Sequence, residues 1–376
     1  MKRILIVNDE MQMGGVARIV NNLINNLDTN KYQIDLLVLH PHGELMKEIP
    51  HHARLIKGGN FFKTVDISLK KCKLNNLFSK LRLIFYMKTG LIKKRIRKER
   101  KKLNLNDYDV ELAAKEGFCT IFTAYGNSKL KLNWVQTDYG KYNYAGNHLE
   151  LFKKSLVRID LNIFSSKTIL ENFNQIFGKL NSICIPNPID EKRIKKLSMK
   201  ETIHFKNDKI NLIAVARFHP QKALDRIIRK AHILKNYYHL HLIGDGPLKG
   251  EYEKLISNLK MDNITLYGIM ENPYPYIKAS DLFVLCSLYE GYPTIVIESL
   301  LATTPILSTQ VAGVNEQIKE GENGFIIPND EDELYNMLLK LKDQKALLKQ
   351  MKEGLKEYHY DNSKIISEFD RIFDQK

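Results

Sequence analysis

At 376 residues, 44% hydrophobic and 27% charged, the chain is long enough for two cores and too apolar to be disordered. Its net charge of +15 asks for an anionic partner, but the basic residues form no nucleic-acid-binding motif, so nucleic acid is not expected. No run approaches the roughly 20 apolar residues that span a bilayer, and Ile4–Val7 is too short for a signal-peptide core. The default expectation is a cytoplasmic protein. Cys72, Cys119, Cys184 and Cys286 are scattered without a C-x-x-C pair, which predicts free thiols rather than disulfides or a metal site. Cys184 and Cys286 lie in strand-like runs and are expected to be buried.

In chain order, Lys2–Asn8 reads as a strand, Val16–Leu27 as a helix and Tyr32–Leu39 as a second strand. Residues 45–105 read as helical or irregular. Within them, Lys80 to Lys102 holds eleven Lys or Arg and one Glu, with Leu81, Ile84, Phe85, Leu91, Ile92 and Ile96 at helical spacing. That predicts a basic amphipathic helix suited to an anionic membrane surface; a solvated basic face on a packed helix is the alternative. Further strands are expected at Val110–Ala113, Leu132–Val135, Leu161–Phe164 and Ile183–Ile185.

Pro186-Asn-Pro-Ile-Asp190 breaks the rhythm and marks a domain boundary, giving domains over 1–188 and 189–355. A last helical stretch, 356–376, is expected to pack back on the first domain. The second half alternates again, with strands at Ile210–Val215, Leu240–Ile243, Ile264–Leu266, Leu282–Cys286, Pro305–Leu307 and Gly324–Ile327. Strands separated by helices predict parallel sheets covered on both faces. The fold class is α/β: two doubly wound, Rossmann-like domains facing a central cleft, with ligands beyond the carboxyl ends of the strands.

The chemistry-bearing residues sit in the loops that follow those strands. Gly14-Gly15, between the first strand and helix, permits close backbone approach to a ligand. After Ile210–Val215, Arg217 and Lys222 offer two cations suited to a diphosphate, or else ordinary surface charge. After Leu240–Ile243 comes Gly244-Asp-Gly246. After Leu282–Cys286, Glu290-Gly-Tyr292-Pro293-Thr294 turns into a helix that carries Glu298. Pro293 suits the first helical position, and the free N–H groups of a helix start suit a phosphate. Gly313-x-x-Glu316 opens another helix, whose dipole Glu316 complements.

The order Arg217…Lys222, Gly244-Asp-Gly246, Glu290-x7-Glu298 and Gly313-x-x-Glu316, with Gly14-Gly15-Val-Ala-Arg18 upstream, resembles glycosyltransferase family 4. The resemblance implies the GT-B fold and retaining transfer of a sugar from a nucleotide diphosphate sugar, a uridine diphosphate sugar being the first expectation. The acceptor would be a glycan or lipid-linked molecule in cell-surface polysaccharide synthesis, with no metal and no other cofactor. Carried over residue by residue, Arg217 and Lys222 would hold the donor diphosphate, Glu298 the ribose and Glu290 the donor sugar. Backbone at Tyr292, Pro293 and Thr294 would meet the phosphates, Gly244 would border the site, and Gly14 and Gly15 would close on the donor from the first domain.

Two positions depart from that pattern. Gln136 stands where many relatives carry a histidine, and a glutamine cannot act as a general base. Asp138 is the nearest carboxylate and a candidate substitute or acceptor-binding residue. Ala223 follows Lys222 where relatives often have glycine. These departures keep open a non-catalytic, sugar-nucleotide-binding or scaffold protein. Another enzyme of the same architecture, an epimerase or phosphorylase, is a further alternative. A glycosidase using the two glutamates is disfavoured by the phosphate-binding loops.

Overall fold

The structure is a computed structural model that describes residues 1–65, 67, 69, 72–141, 149–206 and 208–375. It divides into two compact units, Met1–Pro188 with Ser363–Lys376, and Ile189–Asn362. The switch from the second unit back to the first falls at Asn362, seven residues beyond the position 355 expected from sequence. The reason is local: Lys195 Nζ donates to the Tyr358 carbonyl (2.9 Å) and the Tyr360 N–H to Glu191 (3.0 Å), tying that segment to the second unit.

The first unit carries a seven-stranded sheet in the order β3-β2-β1-β4-β5-β6-β7, with every described pairing parallel. The strands are β1 Lys2–Asn8, β2 Tyr32–Val38, β3 Arg54–Lys57, β4 Val110–Ala113, β5 Leu130–Val135, β6 Leu161–Phe164 and β7 Ser182–Cys184. Strand β3 lies inside the stretch read as helical or irregular. Its four residues form an edge strand paired on one side only, too short to show periodicity, and Arg54 anchors it to Asp35 of β2 (Nε–Oδ1 2.9 Å). The closing helix, Asn362–Phe373, packs into this unit: Phe369 meets Trp134 edge-on at 4.9 Å and Phe373 meets Tyr32 at 5.8 Å.

The expected single helix over 80–102 is instead two, Leu74–Lys88 and Ile92–Lys102. Gly90, at φ +73°, ends the first with the left-handed step that favours glycine. Part of the positive charge points inward. Lys80 is buried with Nζ on the Thr64 carbonyl (2.8 Å), and buried Arg100 forms a two-pronged pair with Glu111 of β4 (2.7 and 2.8 Å). Arg95 pairs with Glu99 at 2.8 Å.

The second unit repeats the plan with six strands, in the order β10-β9-β8-β11-β12-β13 and again parallel. They are β8 Ile210–Val215, β9 Tyr238–Ile243, β10 Ile264–Gly268, β11 Leu282–Leu285, β12 Ile306–Thr309 and β13 Gly324–Ile327. Alternate residues feed two cores, as the pleat requires. Leu212, Val284 and Leu307 pack under helices Leu224–Ile233 and Glu331–Leu341, while Ile213, Phe283 and Ile306 pack under Tyr274–Ala279 and Thr294–Leu301. No helix among the described residues is long and apolar enough to cross a membrane. The four cysteines are free, but Cys184 is only partly buried, because the short β7 lies at the edge of its sheet.

Strand β9 contains a buried polar ladder. The His241 ring stacks on Phe205 (3.8 Å), with Nδ1 accepting from Tyr267 OH (2.9 Å) and Nε2 donating to Asn211 Oδ1 (3.0 Å). Burial, with His239 beside it, pushes the His241 pKa down to about 3. The folded value lies below the unfolded one, so this stability is present above about pH 6.5 and is lost as pH falls towards 3. Between pH 6.5 and 5 the second unit is expected to lose about 2 kcal/mol through this group. Thermal melts across that range will read the loss, and His241→Gln will flatten the dependence.

Candidate functional site

In each sheet the strand order reverses beside the first strand, and loops at that reversal form the natural ligand crevice of an open parallel sheet. In the second unit the reversal lies between β8 and β11. Arg217 and Lys222 follow β8; Glu290 and the turn to Thr294 follow β11. The structure brings them together. Lys222 Nζ lies 2.5 Å from Glu290 Oε1, which also accepts from Ser287 Oγ at 2.6 Å. Gln221 clamps the two loops: its Nε2 donates to the Tyr289 carbonyl, and its own carbonyl accepts from the Leu288 N–H, both at 2.8 Å. Arg217 is exposed and forms no ion pair with any described residue. Lys222 and Glu290 were assigned separate ligands from sequence; in the folded chain they are partners. Ser287 and Gln221 were missed, although both lie within the motif loops.

Ala223 adopts φ +44°, ψ +40°, a left-handed conformation that costs a residue with a Cβ about 1 kcal/mol. It is tolerated because Leu224 starts a well-packed helix at once. Cys286 is buried with Sγ directed at the Lys222 and Ala223 carbonyls (3.4 Å each), and burial pushes its pKa up to about 12, leaving an inert thiol.

Pro293 is the residue before helix Thr294–Leu301, not its first member, and no side chain caps that helix. The Val296 N–H turns back to the Pro293 carbonyl (3.1 Å), which leaves the Thr294 and Ile295 N–H groups at the positive end of the helix. Glu298 is buried one turn in. Its Oε1 accepts from Thr294 Oγ1 and its Oε2 from Tyr274 OH, both at 3.0 Å, which fixes the carboxylate and leaves lone pairs for hydroxyl donors. Thr294 thus contributes its side chain to holding Glu298, and Tyr274 is a supporting residue the motif pattern did not contain. Tyr292 OH lies 3.4 Å from Tyr360 OH.

The glycines divide into two kinds. At Gly244 and Gly246 a Cβ would collide with the carbonyls of Ala216 and Phe218, so these glycines press the β9 loop onto the β8 loop instead of leaving room for a ligand. Gly313, at φ +83°, does the same for the turn, since a Cβ would sit 2.8 Å from the Gly291 carbonyl. Gly15 has nothing within 4 Å, and Gly14 only the Gln12 carbonyl at 4.0 Å, so no packing demand accounts for that pair.

In the first unit the reversal lies between β1 and β4, and it too carries a lysine–carboxylate pair, Lys115 Nζ to Asp9 Oδ2 at 2.5 Å. Gln136, after β5, exchanges two amide hydrogen bonds with buried Asn187 (3.1 and 2.9 Å), and its N–H donates to Glu116 (2.9 Å). Both ends of the Gln136 amide are therefore occupied. Asp138 is buried, with Oδ1 accepting from the Gly140 N–H (2.9 Å) and Asn172 Nδ2 (2.7 Å). Through Oδ1 the carboxylate ties its own loop to Asn172 of helix Lys167–Phe177. Glu10, His40 and His42 are close enough to share a cation, but both nitrogens of His42 already face partners, Gln12 at 2.8 Å and the His40 carbonyl at 3.2 Å.

Residues 195–358, most of the second unit, match the family model for glycosyl transferases group 1. Over 354 residues the chain is 25% identical to a Campylobacter jejuni N-acetylgalactosamine-N,N'-diacetylbacillosaminyl-diphospho-undecaprenol 4-alpha-N-acetylgalactosaminyltransferase, covering 91% of each. It is 31% identical over 153 residues to an uncharacterised glycosyltransferase of Methanocaldococcus jannaschii, covering 39% of this chain and 37% of that relative's length. Among solved structures it is similar to Anabaena HepE in complex with UDP and glucose, at TM-score 0.74 and 15% identity over the whole of both chains. The two units have the GT-B fold, and the matches support a glycosyltransferase.

The two kinds of glycine respond oppositely to a methyl group. Gly313→Ala is expected to cost about 2 kcal/mol through backbone strain and collision, seen as a lower melting midpoint of the second unit. Gly15→Ala, at the first position of helix Gly15–Asn26, should leave that midpoint unchanged or slightly raised.

Proposed function

We propose that the chain is a retaining glycosyltransferase that moves a hexosyl group from a nucleoside diphosphate sugar, with a uridine base, to a glycan or lipid-linked acceptor in polysaccharide or glycoconjugate synthesis. The observation that carries this reading is the cluster at the second sheet's reversal: exposed Arg217, the Lys222–Glu290 pair, an uncapped helix start at Thr294, and Glu298 fixed one turn inside. The base and acceptor class are supported by similarity: HepE is described in complex with UDP, and the Campylobacter relative's name includes a diphospho-undecaprenol acceptor.

In the reaction, the bond between the anomeric carbon and the donor's β-phosphate oxygen breaks, and a new bond forms to the acceptor hydroxyl oxygen. The acceptor proton passes to the departing nucleoside diphosphate. Negative charge grows on that leaving group, and Arg217 and Lys222 supply fixed positive charge where it develops. A diphosphate arriving beside Lys222 competes for the ammonium, freeing Glu290 to accept from sugar hydroxyls while Ser287 still holds it. Glu298 takes the ribose hydroxyls. Gly14 and Gly15, which no packing requires, keep backbone clear for ligand. The alternative of a non-catalytic sugar-nucleotide binder draws on the Gln136–Asn187 lock, which leaves no base at that position.

Arg217→Ala and Lys222→Ala are each expected to lower kcat/KM by about 10²-fold or more. Glu298→Ala should weaken donor binding by roughly 10–100-fold, with circular dichroism unchanged in all three. Transfer should persist in EDTA, because side-chain cations carry the leaving group. Wild-type rates in these variants would sink the assignment. Donor binding with neither hydrolysis nor transfer would favour the binding protein.

A further inference from the structure

Helix Leu74–Lys88 is apolar on two opposite faces. Leu83 and Met87 are buried on the inner one. On the outer one, Leu74, Phe78, Leu81 and Phe85 are 89%, 76%, 49% and 57% exposed. Their spacing of four, three and four residues places them in one narrow stripe along the helix. A helix that is apolar all round is normally covered on both sides, and a continuous exposed stripe of large side chains marks a contact surface.

The charge around the stripe selects what covers it. By helical geometry, exposed Arg82 and Lys88 flank its two edges. The next helix, Ile92–Lys102, adds exposed Lys94, Arg97, Lys98 and Lys101. From Lys73 to Lys102 the sole acidic residue is Glu99, which is buried and held by Arg95 and Lys102. A second copy of the chain would set this basic edge against itself, a like-charge juxtaposition that disfavours pairing. An anionic bilayer interface satisfies both features: acyl-chain boundary for the stripe and phosphate headgroups for its edges.

We propose that helix Leu74–Lys88 is an interfacial membrane-docking element that inserts Phe78, Phe85 and their leucine neighbours into an anionic lipid surface. The basic residues supply attraction, and the apolar stripe supplies retention. This differs from attachment by one basic helix over 80–102, because Lys80 and Arg100 are buried and Arg95 is paired internally. The proposal does not depend on the transfer chemistry, and its test contains neither donor nor acceptor.

The test is sedimentation of the full chain with phosphatidylglycerol–phosphatidylcholine vesicles and with phosphatidylcholine vesicles alone. The wild type should pellet with the anionic vesicles, less so as salt rises from ~0.1 to ~0.5 M. Phe78→Ser/Phe85→Ser should reduce partitioning at least tenfold with an unchanged melting midpoint, since both rings are exposed. Arg82→Gln/Lys88→Gln should erode the preference for anionic over neutral vesicles. A wild-type chain that stays in the supernatant, or a double-serine variant that pellets like wild type, would overturn the proposal. So would a wild-type dimer that the serine pair dissolves without changing vesicle binding, which would identify a second copy as the occupant.

Discussion

The ion pair between Lys222 and Glu290 is the constraint on which the rest of the second unit's site depends. It spans the place where the strand order reverses, joining the loop after β8 to the loop after β11. Each partner alone would be a costly, poorly solvated charge; together, with Ser287 as a third member, they are satisfied. The neighbouring devices serve the same closure. Gln221 pins one loop to the other, Gly313 brings its loop against the turn at Gly291, and Asn329 Nδ2 donates to the Ser287 and Leu288 carbonyls (3.0 and 2.9 Å). The result is a preorganised cluster in which an internal carboxylate holds a lysine at the sheet's reversal.

The first unit uses the same position for a different arrangement. Its lysine–carboxylate pair, Lys115 with Asp9, has the carboxylate after the first strand and the lysine after the fourth, the reverse of the second unit. Around it, Gln136, Asn187 and Glu116 form a hydrogen-bonded network. Asn187 comes from the Pro-Asn-Pro segment read from sequence as a connector only, yet it is fully buried. A retaining mechanism in which the leaving phosphate accepts the proton is compatible with that network, because it asks no side chain in the first unit to titrate.

The basic segment shows how folding redistributes charge. Read along the chain, Lys80 to Lys102 is one cationic block; folded, it is a core contribution, an internal pair and a surface. Arg100 enters the core because Glu111 of β4 and the face of Phe122 await it, the guanidinium lying 5.0 Å from the ring centroid. The residues left outside surround the apolar face of helix Leu74–Lys88.

The sequence by itself determined the alternation of strands and helices, the division near Pro188, the loops that carry Arg217, Lys222 and Glu290, and the helix that carries Glu298. Those features are written locally, in runs such as Ile4–Val7 and Leu282–Leu285 and in punctuation by glycine and proline. It did not reveal β3, whose four residues are a strand only because β2 offers an edge, nor the break at Gly90, hidden in a continuous helical pattern. Only the tertiary structure decided who faces whom: that Lys222 meets Glu290 across 68 positions, that Tyr274 supports Glu298, that Asp138 serves its own loop, and that Gly244 and Gly246 serve backbone packing. The reason is that side-chain partnership across a parallel sheet depends on strand order and register, which are properties of the assembled sheet and not of any one segment.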